Sequence, residues 1–550
     1  MEKEELINNT FSIYSIKYYY LNYLKSNLSL DSYNYVSALV FGANQFENEL
    51  KDSFSALGIS HIIAISGMHI LFLNKFLKFI LFKIFGYYKD LIPNLLIFIY
   101  LLIIGFPLSS VRALLFLIIG SLSNKTKILT KLDILSISCL IMLFINPFYG
   151  YNTGFLLSFI VSFVLIFKDD ILKNNNYKII NSYKTYFLIF LFTLPFIINM
   201  SNRISLISLL LSPILSTIIS FIILPLSYVL AIIPILDFIF KYIFIFLNNY
   251  LINISNYNLM IPIKSFNIYL SSIYYLILFI FIYSLIKKKL VILNFSLLTS
   301  YLLIILNFKY FNPIANVTFI NCGQGDSSLI EAPYSKEIII IDCYNSYDFL
   351  KREGIYNIDY LILSHSDNDH IGDYKLILDN FNVKKIIYPI FDLRFDELLI
   401  NYDNKIGIDD NYKINDYLNI NILGPINNYE DPNSNSIVLK INIYNTSILY
   451  TGDMTEKEEI DVLNKYKDVL DSDILKVAHH GSNTSSSINF LNSVNPKDSI
   501  ISVGLNNSYN LPSEEIVNRL KEISNLYMTK DSGNITLKIY KKSYKLSTYY

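Results

Sequence analysis

The residues best suited to chemistry lie in one short run, Leu361-Ile-Leu-Ser-His365-Ser-Asp367-Asn-Asp369-His370-Ile-Gly372-Asp373. A strand-like apolar segment delivers two imidazoles and two carboxylates into a turn closed by glycine, the pattern of a strand ending at a metal site. Ligands at i, i+2, i+4 and i+5 cannot share one face of a strand or helix, so they require a loop. Histidine and aspartate without cysteine suit zinc or manganese rather than a thiolate-rich structural site. Further ligands are needed, and two later segments supply them. Thr451-Gly452-Asp453 follows the apolar Ser447–Tyr450, and Lys476-Val-Ala-His479-His480-Gly481-Ser482 follows Asp473-Ile-Leu475. Of six histidines, four (His365, His370, His479, His480) sit in these motifs, against the bland alternative of solvated loop histidines.

The H-x-D-x-D-H-x-G turn, the later G-D and the H-H-G-S resemble the metallo-β-lactamase fold, in the variant joined to the ComEC family of DNA-uptake channel proteins. Asp367 stands where that fold usually has a second histidine, as in the ComEC variant. Val317 to Ile330, with Gly323-Gln324-Gly325-Asp326, resembles the opening strand and G-Q-G-D turn of the same domain. The resemblance implies two divalent ions (Zn or Mn): His365 and Asp367 on one, Asp369 and His370 on the other, Asp453 bridging, and one of His479 and His480 completing the shell. It also implies metal-assisted phosphodiester hydrolysis, with Asp369 catalytic and Asp326 orienting a ligand. Lys476 is read either as a phosphate contact or as a solvated lysine. Asn435-Ser436 stands where the fold often has another histidine, Leu511 where a Y-G-H-P loop has its histidine, and Asn321 where an aspartate is usual. These departures favour a silent domain that binds DNA without cutting it.

The elements that must carry these residues divide in two. Over 550 residues the chain is 53% hydrophobic and only 16% charged, with mean hydropathy +0.40, too apolar for a wholly soluble protein. Its formal net charge is zero, so bulk charge gives no argument for a nucleic-acid partner. Cys139, Cys322 and Cys343 are too few for a disulfide framework. Cys322 and Cys343 each end a predicted strand and are expected as buried thiols, a single bridge being the alternative. The acidic start, with no apolar run behind it, predicts no cleavable signal peptide.

Windows of ~19 residues mark apolar segments near 68–86, 91–106, 111–123, 133–146, 154–167, 185–199, 204–235, 237–255, 272–286 and 291–309. We expect about nine to eleven spans, with 204–235 long enough for two. Lys125, Lys127 and Lys131, then Lys168, Lys173, Lys178 and Lys184, then Lys287–Lys289 mark loops on the cytoplasmic side, which carries the C-terminal domain outside. A tyrosine-rich amphipathic stretch, Phe11 to Leu30, is expected to lie along a membrane surface.

Gly58-Ile-Ser60-His61-Ile-Ile-Ala-Ile-Ser66-Gly67-Met68-His69 places polar groups in an apolar run, where ionisable side chains are costly and face a bundle interior or a water-filled path. In one continuous helix His61 and His69 would share a face. Packing alone would explain the patch equally well. It resembles, however, the ComEC signature G-x-x-H-x-x-A-I-S-G-x-H, while Pro107 to Ala113, with Arg112, resembles P-x-x-x-x-R-A, and Asn146-Pro147 with Gly154 to Phe159 resembles N-P and G-F-x-L-S-F. The ordered set implies a plasma-membrane, multi-pass channel for one strand of DNA in natural transformation, with His61, Ser66, Gly67, His69 and Arg112 near the channel. Implied partners are DNA, membrane lipid, a DNA receptor, a cytoplasmic translocation motor and a second copy of the chain. Fuller family members carry an oligonucleotide-binding module for which no room is expected before residue 50.

After Phe311-Asn312-Pro313 short β runs (338–341, 360–363, 385–388, 419–423, 437–443, 447–450, 499–503) alternate with amphipathic helices. The expected architecture is a polytopic α-helical membrane domain followed by an α/β (αβ/βα sandwich) metallo-β-lactamase-like domain. Its parts are an N-terminal segment (1–55), a channel domain (56–310) and the α/β domain (314–550). A membrane-anchored hydrolase with no transport role is the remaining alternative.

Overall fold

A computed structural model describes residues 13–85, 90–126, 129–172, 178–255, 260–410, 418–505 and 507–549. The acidic start, Phe11, Lys127, Lys173 and Asn506 lie outside the described residues. Two compact units emerge, Met1–Ser300 and Tyr301–Tyr550, divided within helix Val291–Phe311.

The first unit is helical apart from a two-stranded ribbon, β1 (Arg203–Ser205) with β2 (Met260–Pro262). Each apolar window of the sequence holds a helix, from Gly67–Phe85 to Val291–Phe311. Among the described residues, five helical segments are long and apolar enough to cross a membrane: 179–201, 206–232, 234–255, 268–287 and 291–311. Leu91–Ile104 and Leu108–Ser123 are shorter apolar helices. Large side chains such as Phe79, Phe144, Phe221 and Ile292 are exposed on their helices, as lipid-facing positions are. The protein is therefore a membrane protein.

Three stretches take a form that the sequence left open. Residues 204–235 do not divide into two spans: Leu206–Ile218, a π turn at Ile219–Ile223 and Leu224–Ile232 run as one segment. Pro225 has no N–H to close on the carbonyl four residues back, which accounts for the π turn beside it. The tyrosine-rich stretch is helical at Ile13–Asn27 and exposes Tyr18, Tyr19, Tyr20 and Tyr23. The next helix, Leu30–Phe41, is instead buried from Ser32 to Val40 and shares a core with Leu215, Ile223, Phe244 and Leu251. Finally, the run from Gly58 to His69 is not one helix. It forms Ser60–Ile63, breaks at Ala64–Ser66 and restarts at Gly67, leaving His61 exposed and His69 buried.

The second unit is a two-sheet sandwich. Its strands are β3 (Ala315–Phe319), β4 (Ser327–Glu331), β5 (Ile338–Cys343), β6 (Asn357–Ile362), β7 (Asn382–Pro389), β8 (Lys405–Ile408), β9 (Ile420–Gly424), β10 (Val438–Ile443), β11 (Thr446–Tyr450), β12 (Ile474–Lys476), β13 (Asp498–Ile501), β14 (Asn525–Met528), β15 (Asn534–Ile539) and β16 (Tyr544–Tyr549). One sheet runs β16-β15-β3-β4-β5-β6-β7-β8 and the other β14-β13-β12-β11-β10-β9. The strand period of two sorts the isoleucines into layers. On β5, Ile339 and Ile341 enter the inter-sheet core with Ile441, Ile448 and Ile474, while Ile338 and Ile340 pack beneath Leu350, Ile377 and Phe395 of the covering helices. On β11, Ile448 and Tyr450 face inward and Leu449 meets Val462, Leu491 and Leu520. Helices thus cover both outer faces, giving the αβ/βα sandwich, and each buried Leu or Ile contributes ~1.5–3 kcal/mol. All three cores are drawn from residues after 314, so this unit has what it needs to fold alone. Cys322 and Cys343 are buried free thiols.

Candidate metal centre

The site forms where strands of both sheets end in loops. Strand β6 leads into the His365 to His370 turn, β11 into Asp453, β12 into His479 and His480, and the loop between β3 and β4 supplies Asp326. Gly325 is required by a close approach: a Cβ there would lie 2.4 Å from the Asp369 carbonyl. The Asp326 N–H donates to that carbonyl at 2.9 Å, tying the G-Q-G-D turn to the histidine turn. His479 and His480 adopt left-handed φ of 49° and 52°, a conformation that costs ~1–3 kcal/mol per non-glycine residue and persists where the surroundings impose it.

Asp326, His370, Asp453 and His480 are all buried and offer ligand atoms within 4.8 Å of one another. His370 Nε2 lies 3.3 Å from Asp453 Oδ1, and the other Asp453 oxygen lies 3.9 Å from both His480 Nε2 and His479 Nε2. The His365 ring lies 4.1 Å from the His370 ring, centroid to centroid, tilted by 50°. Nδ1 of each buried histidine is engaged: His370 with Asp342 Oδ2 at 2.8 Å, His480 with the Ser502 carbonyl at 2.9 Å, and His365 with the hydroxyls of Ser364 and Ser436 at 3.1 and 3.2 Å. An Nδ1–H donated to an oxygen leaves the lone pair on Nε2. The Nε2 atoms of His365, His370 and His480, with Asp453 Oδ1 and Asp326 Oδ1, are buried and have no hydrogen-bond partner among the described residues. Buried polar atoms are normally satisfied. Four of the residues that carry these atoms, Asp326, His370, Asp453 and His480, share one cluster with His365 beside it, and nitrogen and carboxylate ligands of this kind fit a divalent cation.

The charges agree. Burial pushes the His370 imidazole down, yet the Asp453 and Asp342 carboxylates outweigh it and hold it well above the usual range. Burial pushes Asp453 up, but His370 and His480 hold it well below the usual carboxylate range. His480 is likewise raised, burial being outweighed by Asp453, Asp369 and Asp326. A divalent ion would take the place of protons among these carboxylates.

Other sequence candidates fall around this cluster. His480 joins it, while His479 sits at the rim with a 27% exposed side chain. Asp369 Oδ2 is 3.5 Å from His480 Nε2. Asp367 Oδ2 is 3.9 Å from His365 Nε2, and its other oxygen is paired with Arg394 Nη2 at 2.9 Å. Lys476 is not solvated: it is buried and bonds Asp326 Oδ2 at 2.7 Å, neutralising that carboxylate. Ser436 supplies a hydroxyl to His365 and accepts from the Asp453 N–H at 3.1 Å, and Leu511 packs against an apolar cluster. Asn321 is capped by Asn534, its N–H donating at 2.7 Å. Asp342, Ser364, Asp392 and Arg394 are the members sequence reasoning missed. Asp342 takes the Ser364 N–H at 2.7 Å besides holding His370, and Asp392 takes the Ser366 N–H at 2.9 Å. The signal for Asp342 was a carboxylate ending a run of four isoleucines.

Fold and site together define a membrane protein with a metallo-β-lactamase domain. The Metallo-beta-lactamase superfamily matches residues 320–504, and the Competence protein family matches residues 39–314. The chain belongs to the Competence protein family. It is 26% identical to "ComE operon protein 3" of Bacillus subtilis (strain 168), over 96% of this chain and 74% of that protein. It is 30% identical to "Competence protein ComA" of Neisseria gonorrhoeae over 38% of this chain and 30% of that protein. Among solved structures, the metallo-beta-lactamase fold protein YhfI from Bacillus subtilis covers 40% of this chain and 98% of its own, at 14% identity and a TM-score of 0.29, too low to carry an argument.

Proposed function

We propose that this chain is a plasma-membrane channel that admits one strand of DNA during natural transformation, and that its C-terminal domain hydrolyses phosphodiesters of the other strand outside the cytoplasm. The observation that carries the hydrolytic half is the set of five buried, unpartnered ligand atoms on His365, His370, His480, Asp453 and Asp326. His370, His480 and Asp453 would hold one divalent ion with Asp326 or Asp369. His365 and Asp367 would hold a second, with Asp453 as a shared carboxylate. Such an ion supplies an acidified water and stabilises charge developing on phosphate oxygens. Asp342 and Ser502 fix the imidazoles, and Lys476 keeps Asp326 ionised. Burial pushes the Asp369 carboxyl up, but His480 and His370 hold it below its usual range, so it is ionised near neutrality and at 38% side-chain exposure is reachable by substrate. The match to the Competence protein family supports the channel half, with a DNA receptor, a cytoplasmic motor and a second copy of the chain as expected partners.

The test is metal content and cleavage of labelled single- and double-stranded DNA by the protein in detergent and by the fragment Asn312–Tyr550, with Mn²⁺ or Zn²⁺, beside an Asp369→Ala, His370→Ala control. Cleavage that the control lacks supports the reading. Folded protein that takes up DNA in vesicles but never cleaves it supports the second reading, a silent domain, which Ser436 and Leu511 favour by supplying no imidazole.

A further inference from the structure

In the membrane unit two helix N-termini and a guanidinium meet, and among the described residues no carboxylate is paired with the guanidinium. Helix Gly67–Phe85 begins just after the break at Ala64–Ser66. It approaches helix Leu108–Thr126 so closely that a Cβ on Gly67 would stand 2.5 Å from Arg112 Nη2 and 3.6 Å from the Ser109 carbonyl. Ser109 Oγ donates across the gap to the Ile65 carbonyl at 2.9 Å. Arg112 belongs to the second turn of its own helix, so the positive ends of both helices, each with free N–H groups, converge on it. Its Nε donates to Ser158 Oγ at 2.7 Å, and its guanidinium carbon lies 6.0 Å from the Phe159 ring centroid. Among the described residues, no carboxylate is paired with it.

His69, on the first turn of the same helix, is fully buried. The Ser66 N–H donates to its Nδ1 at 3.1 Å, so the neutral ring carries its proton on Nε2. That buried Nε2 donor has no partner among the described residues, nor has Ser110 Oγ on the first turn of the facing helix. The acceptors named here, the Ser158 hydroxyl and the Ile65 carbonyl, are neutral, and among the described residues no group paired at this junction carries negative charge. A guanidinium in a low-dielectric interior is costly unless an anion or oriented acceptors meet it.

We propose that this junction is an anion site that takes a phosphodiester phosphate, gripped by the Arg112 fork and the first N–H groups of helix Gly67–Phe85, with His69 Nε2 as a further donor. A planar guanidinium and a helix N-terminus are the two protein groups best matched to a phosphate monoanion. Two sources share that chemistry, a DNA backbone and an anionic lipid head group. The anion site rests on the geometry alone; its assignment to DNA rests on the channel reading above.

The test uses the full chain in detergent and in phosphatidylcholine vesicles with or without phosphatidylglycerol, comparing wild type with Arg112→Gln, Arg112→Lys and Gly67→Ala. The probes are inorganic phosphate (thermal stabilisation relative to chloride at equal ionic strength), a short oligothymidylate and retained phosphatidylglycerol. The expected result is loss of phosphate stabilisation in Arg112→Gln, with oligothymidylate affinity falling about tenfold and its salt slope by about one, and partial recovery in Arg112→Lys. Gly67→Ala, which keeps the charge and displaces it, gives the same direction and covers an Arg112→Gln that does not fold. Loss of retained phosphatidylglycerol with unchanged oligothymidylate binding assigns the site to lipid. If phosphate stabilisation, lipid retention and oligothymidylate binding are all unchanged in folded variants, the site is overturned. A wild type that never binds or passes DNA refutes the channel reading, and the phosphate and lipid results still decide the site.

Discussion

His370 Nδ1 lies 2.8 Å from the Asp342 carboxylate, which turns Nε2 of the same ring toward Asp453 Oδ1 at 3.3 Å. One carboxylate thus fixes the tautomer and the other shares the ligand position. Outer partners of metal-bound histidines are typically worth ~10–100-fold in metal affinity. Asp342→Asn, which keeps the shape and removes the charge, is therefore expected to weaken metal binding by about that factor and to lower cleavage with it. Calorimetric titration of zinc and manganese checks this; affinity equal to wild type would mean that Asp342 only supports the Ser364 loop.

Lys476 and Asp326 form an ion pair with side chains 5% and 8% exposed. Removing one partner of such a pair strands a buried charge and costs ~3–5 kcal/mol, whereas removing both together costs much less. In chelator, Lys476→Met is expected to destabilise the C-terminal unit more than the Lys476→Met, Asp326→Asn double variant. Urea unfolding of the four proteins closes the cycle, and strictly additive losses would show that the two groups act independently.

Much of the metal centre was legible because its ligands follow apolar strands and are of types that bind metals. The sandwich was legible because short apolar β runs, such as Ile338–Ile341 and Ser447–Tyr450, alternate with amphipathic helices. Asp342 was not, because a lone carboxylate ending a strand resembles any strand terminator and its partner, His370, is 28 residues away. The ion pair of Lys476 was not legible either, because its partner, Asp326, lies 150 residues earlier. Hydropathy concealed the break at Ala64–Ser66, since Ile62, Ile63 and Ile65 keep the window apolar while the backbone turns. Strands β15 and β16 were missed because β15 pairs with β3, at the other end of the domain.

Asp473 gives the C-terminal unit an acid limb. Burial pushes its carboxyl up, but the Lys497 ammonium at 2.6 Å and the Ser447 N–H and hydroxyl at 2.9 and 3.1 Å outweigh that and hold it below its usual range. A carboxyl depressed in the folded state contributes stability that is fully present above its unfolded value, about 3.9, and lost as pH falls through the folded one. Asp473→Asn should cost no more than ~1 kcal/mol at pH 7, because Lys497 is largely exposed. It should also flatten the loss of stability between about pH 5 and 3. Denaturant unfolding across that range measures both, and an unchanged slope would remove Asp473 from the acid response.

Metal should stabilise the C-terminal unit through Asp453. A ligand that binds only the folded state adds ~2.7 kcal/mol at a hundredfold excess over its dissociation constant, which for a unit of this size raises the unfolding temperature by roughly 5–10 °C. Chelation of the purified fragment Asn312–Tyr550 is expected to remove that increment, and Zn²⁺ or Mn²⁺ to restore it. Asp453→Ala should abolish the difference between the two conditions, because Asp453 is the carboxylate that faces both His370 and His480. The variant also loses the carboxylate that holds those imidazoles above their usual range, so its metal-free form should unfold below metal-free wild type near neutral pH. Wild type indifferent to both ions and to chelator would mean that the five unpartnered atoms are met by water, and the case for a metal-dependent hydrolase would fall with it.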